Sequence, residues 1–89
     1  MNHIVKRKGH KEKFDARKIY ASVFSACMTL RMNDGEAELL SDAVSKEVAE
    51  SLKDTEEVTS HVIHTRAVES IKKYNEDVAF MYGTHRDIS

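Results

Sequence analysis

Leu40, Val44, Val48 and Leu52 follow one another at every fourth position, with Leu39 and Ala43 beside them. A series this long, unbroken by proline, is too long for a strand and lays one apolar stripe along a helix. The whole chain of 89 residues has no proline and only Gly9, Gly35 and Gly83. Long regular elements are therefore expected, with few breaks. Ile19, Val23, Ala26 or Cys27, and Leu30 predict an earlier helix at the same spacing, with Asp15 as its N-cap. Asn33-Asp34-Gly35 predicts a turn and cap before the helix from Glu36. Thr59 or Ser60 caps a third helix with Ile63, Ala67, Ile71 and Tyr74 on one face. A fourth starts at Asn75 and carries Val78, Ala79, Met81 and Tyr82. Gly83 inside it weakens it by about 1 kcal/mol relative to alanine.

The first residues read differently. Ile4-Val5 is β-branched, Lys8-Gly9-His10 supplies a turn, and Lys11 to Phe14 forms a return strand. An isolated hairpin is marginal in water, so it must pack on the helices. Lys53 to Val58 reads as a loop with room for a short third strand around Val58. The expected fold class is α+β: a small N-terminal β-hairpin, extendable to a three-stranded sheet, capping a four-helix bundle. A hydrophobic fraction of 40% supports one core, so residues 1–89 are expected to form a single domain.

No apolar run approaches the roughly 20 residues needed to span a bilayer. The charged start is not followed by the apolar segment of a signal peptide. The single cysteine, Cys27, excludes an internal disulfide and a cysteine-based zinc site. A cytoplasmic protein without membrane contact is expected.

Charge is segregated. Residues 1–18 hold Lys6, Arg7, Lys8, Lys11, Lys13, Arg17 and Lys18 against Glu12 and Asp15. The remaining residues hold 7 basic and 13 acidic side chains. A positive excess confined to one end suits an anion. Lys6 and Arg7 on a strand and Lys18 in a first helical turn offer fixed charge to phosphates, and the helix start offers N–H donors. Ile4 and Ile19 offer apolar surface on either side of a planar base, and Glu12 and Asp15 can accept from an exocyclic amine. These are parts of an adenine-nucleotide site. The chain has neither a G-x-x-x-x-G-K-[ST] loop nor a G-x-G-x-x-G turn. The charge pattern by itself also fits a nucleic-acid contact or a solvated face.

V-K-R-x-G followed by E-x-F-D-x-x-K-I resembles the opening of the ATP-cone family, the regulatory nucleotide-binding module of many ribonucleotide reductases and of their transcriptional repressors. The stretch Val58 to Val68 resembles the family's second motif, and Val78-Ala79-x-x-Tyr82-x-x-His85-Arg86 is similar to its closing one. The resemblance implies a non-catalytic domain that binds ATP or dATP and acts allosterically. Its partners would be a second copy of the chain, or a reductase or repressor. By the same resemblance Lys6, Arg7 and Lys18 hold phosphates, Glu12 and Asp15 read the adenine, and Ile4 and Ile19 sandwich it. Ser60 and His64 lie near the phosphates and the sugar. Mg²⁺ would bind through phosphate oxygens. The chain departs from the family pattern at Arg7-Lys8-Gly9, where the turn is usually R-D-G, and at His85, where an aromatic residue precedes the arginine. Within the 89 residues no zinc ribbon precedes this region and no catalytic domain follows.

His61 and His64 are three apart on a helix, but a metal needs a third ligand that the sequence does not place. Cys27 reads as a small buried residue. Tyr20, Phe24, Tyr74, Phe80 and Tyr82 read as core or interface rather than as stacking platforms for nucleic acid. The net-acidic later helices speak against direct nucleic-acid binding. No nucleophile–base pair supports catalysis. The alternatives are a small nucleic-acid-binding module, or a helical protein-interaction module, using the basic hairpin.

Overall fold

The computed structural model describes residues 3–5 and 11–84. Two short strands, β1 (His3–Val5) and β2 (Lys11–Lys13), precede helices α1 (Ala16–Thr29) and α2 (Asp34–Leu52). Strand β3 (Glu57–Thr59) then leads directly into α3 (Ser60–Lys72), and α4 (Glu76–Thr84) follows. Lys6, Arg7 and the turn expected at Lys8-Gly9-His10 lie outside the described residues, as do His85 and Arg86.

The helices form where the apolar spacing predicts them. Asp15 caps α1 by accepting from the Arg17 N–H. The α1 stripe buries Ile19, Val23, Ala26 and Cys27, and the α2 stripe buries Leu40, Val44, Val48 and Leu52. These two stripes make the most extensive helix–helix contact of the fold. Ile63, Ala67 and Ile71 of α3 and Val78 and Ala79 of α4 close the same core. Leu30 and Leu39 are exposed instead.

The turn between α1 and α2 is not made by its glycine. Arg31 adopts a left-handed φ of 58°, and the Met32 N–H reaches back to the Cys27 carbonyl at 3.0 Å around an Arg31 N–H to Met28 carbonyl bond of 2.9 Å. This is the Schellman pattern, with arginine in the position glycine usually takes. Asn33 caps α2 through the Gly35 and Glu36 N–H groups, so Gly35 sits in its first turn.

The expected architecture, an N-terminal hairpin capping a four-helix bundle, is corrected here. The chain is largely helical, and among the described residues its extended segments are three residues each. A described strand of that length spans about 7 Å, less than the width of one helix with its side chains. Instead β1 runs between two partners in the order β2-β1-β3. It pairs antiparallel with β2, Ile4 opposite Glu12, and parallel with β3, Ile4 opposite Val58. Ile4 and Val58 are both buried. This extended patch is a buttress tied into the start of α3.

Ser41 is fully buried on α2, and its hydroxyl has no hydrogen-bond partner among the described residues. A buried polar group without a partner costs its desolvation. Ser41→Ala is therefore expected to raise stability by about 1 kcal/mol, read as a higher urea midpoint.

Candidate functional site at the start of α3

Strand β1 and β3 run parallel, with Val5 opposite Thr59. The chain then turns from Thr59 straight into α3, so the end of β1 that carries Val5 lies beside the α3 N-terminus. The basic run Lys6-Arg7-Lys8 follows Val5 in sequence. Helix α1 is reached from the other end, since Lys13 of β2 pairs with His3.

The α3 start suits an anion. Thr59 caps it with a neutral hydroxyl, Oγ1 accepting from the Val62 N–H at 3.2 Å, and the first turn has no acidic residue. The other three described helices each carry a carboxylate there: Asp15 at the α1 cap, Asp34 and Glu36 on α2, and Glu76 and Asp77 on α4. The unmatched N–H groups and positive dipole end of α3 favour negative charge. Ser60, half-buried, opens this helix. His64 is one turn further on and stacks on Tyr82 of α4, with ring centroids 5.2 Å apart and planes 21° from parallel.

The remaining predicted residues are arranged less openly. Ile4 is 9% and Ile19 5% exposed, so both belong to the core and present almost no surface to a base. Asp15 is engaged on both oxygens. Arg17 donates through its backbone N–H and Nε to Oδ1 at 2.9 and 3.2 Å, and through Nη2 to Oδ2 at 3.1 Å. That side-chain contact holds the Asp15 carboxyl below the usual range. Lys18 is exposed in the first turn of α1. Glu12 lies opposite Ile4 in β2. The structure thus brings Ile4, Val58, Ser60 and His64 to one neighbourhood of strand end and helix start, and leaves Asp15 and Lys18 at the α1 start.

Sequence reasoning missed a second polar cluster. Glu47 on α2 accepts from Ser70 Oγ at 2.8 Å, from Lys73 Nζ at 2.6 Å and from the Tyr74 hydroxyl. Lys73 and Tyr74, followed by Ser70, drive the Glu47 carboxyl down to about 2. Its partners are 23 and more residues away, beyond any local spacing signal. Among the described residues no group of three or more His, Cys, Asp or Glu is placed to hold a metal, and no helix is long and apolar enough to cross a membrane.

The family model described as the ATP cone domain matches residues 2–88. The chain belongs to the ATP-cone family. No curated relative matches it. ATP-cone domains are non-catalytic, nucleotide-binding regulatory modules whose ligands are ATP and dATP.

Proposed function

We propose that the chain is a single regulatory domain that binds ATP or dATP at the α3 start and acts allosterically in the cytoplasm. Its output passes through contacts with a second copy or with a reductase or repressor partner. The observation that supports this most is the α3 N-terminus, capped by a neutral hydroxyl and free of first-turn carboxylates beside the end of β1. In this reading Lys6, Arg7 and Lys18 hold the phosphates with Ser60 and the first-turn N–H groups, and Mg²⁺ is bridged through phosphate oxygens. Glu12 and Asp15 read the adenine amine, and His64 meets the sugar.

The buried Ile4 and Ile19 and the Arg17-bound Asp15 give this reading its switch. Ile4 and Ile19 sandwich a base only in a second packing of strand and helix, in which Asp15 also exchanges Arg17 for the ligand. A nucleotide that binds the second packing more tightly shifts the population toward it.

Calorimetric titration with ATP, dATP, ADP and GTP in the presence of Mg²⁺ tests the proposal. Saturable binding of ATP and dATP is expected, with GTP weaker. Lys18→Ala should weaken ATP by about 1 kcal/mol, roughly fivefold, the scale of one exposed charge-assisted contact. Absence of adenine-nucleotide binding, or wild-type affinity in Lys18→Ala, counts against the site.

A further inference from the structure

We infer that Tyr82 is a positioning residue of the nucleotide site, setting the plane of the His64 ring so that it meets the nucleoside rather than the phosphates. This deepens the proposed function and rests on it.

One turn of helix separates Ser60 from His64, about 6 Å along the axis. In the proposed reading the phosphates sit at the α3 start and the sugar meets His64, one turn further along the helix. The outer torsion of a histidine is broad and selects no plane unaided. Here the near-parallel stack on Tyr82 selects one. Tyr82 is itself held. It packs against the core, and α4 is anchored by buried Val78 and Ala79 and by the Asn75 side chain, which accepts from the Val78 N–H at 3.1 Å. The same tyrosine forms the α4 wall of a groove of about 320 Å³ whose α1 wall includes Ala21, Ser22, Ser25 and Thr29. The imidazole is thus stacked on a residue of α4, a different helix from the one whose N-terminus forms the anion site.

The test compares Mg-ATP with Mg-tripolyphosphate, which has the phosphates and lacks the nucleoside. Tyr82→Leu should weaken ATP roughly two- to tenfold, the worth of one aromatic pair, and leave tripolyphosphate within twofold. Tyr82→Phe, which keeps the ring, should restore ATP affinity to within twofold of wild type. In the wild-type protein the His64 ring resonances should shift with ATP and stay in place with tripolyphosphate. This measurement stands even where Tyr82→Leu does not fold. Equal losses for both ligands, unchanged ATP affinity in Tyr82→Leu, or a His64 shift with tripolyphosphate overturns the positioning role alone. A wild-type protein that binds no ATP overturns the proposed function and this inference with it.

Discussion

Ile71→Ala is expected to destabilise the domain by about 3–4 kcal/mol, within the range for truncating a fully buried isoleucine. Ile71 has no solvent exposure and sits in the core shared by all four described helices. Truncation removes apolar burial and leaves a void that packed neighbours fill only in part. The consequence is severe because the domain is small. A chain of 89 residues has roughly 4–13 kcal/mol of total stability to lose. Urea denaturation should show a large fall in midpoint with an unchanged slope, since the unfolded surface is nearly the same. A midpoint within 1 kcal/mol of wild type would show that α3 is not packed as described.

Replacing Glu47 by glutamine is expected to cost about 1 kcal/mol at neutral pH and to flatten the acid limb of the stability curve. The carboxylate gathers donors from Ser70, Lys73 and Tyr74, and its pKa falls from 4.5 to about 2. A shift of that size corresponds to about 3 kcal/mol at full value. Water at the partly exposed carboxylate and at the exposed Lys73 and Tyr74 screens it, leaving about 1. The folded pKa is depressed. The stabilisation is therefore complete above the unfolded value near 4.5, and is lost as pH falls toward 2. Urea midpoints between pH 6 and pH 2.5 should fall more steeply in wild type than in Glu47→Gln, with Asp15 contributing a residual slope to both. Parallel curves for the two proteins would remove Glu47 from this role.

The helices were legible because their information is local. Leu40, Val44, Val48 and Leu52 lie buried where the spacing of four puts them, and so do Ile63, Ala67 and Ile71. The same rule fails at helix ends. Tyr74 continues the α3 spacing, yet the helix stops at Lys72 and the ring is 52% exposed, its hydroxyl turned to Glu47. Phe80 is 73% exposed on α4, where short length leaves a whole side unpacked.

The candidate site was legible in the one-turn spacing of Ser60 and His64 and in the Thr59 cap, both local features. Spacing does not say whether an isoleucine faces a ligand or a core, so Ile4 and Ile19 read as a base sandwich and lie inside. Nor does it reveal a strand register. The parallel pairing of β1 with β3 is fixed by two distant apolar residues, Ile4 and Val58, finding the same core.

That pairing joins His3–Val5 to Glu57–Thr59 and closes a loop of about fifty residues. Contacts of such separation cost chain entropy before they return any burial, so they form late and open early. The α1–α2 pair needs no such closure. The N-terminal strand is therefore expected to fasten as a clasp after α1 and α2 have paired. A nucleotide bound there, as proposed, would stabilise a contact that closes about fifty residues, and its binding energy would tighten the clasp.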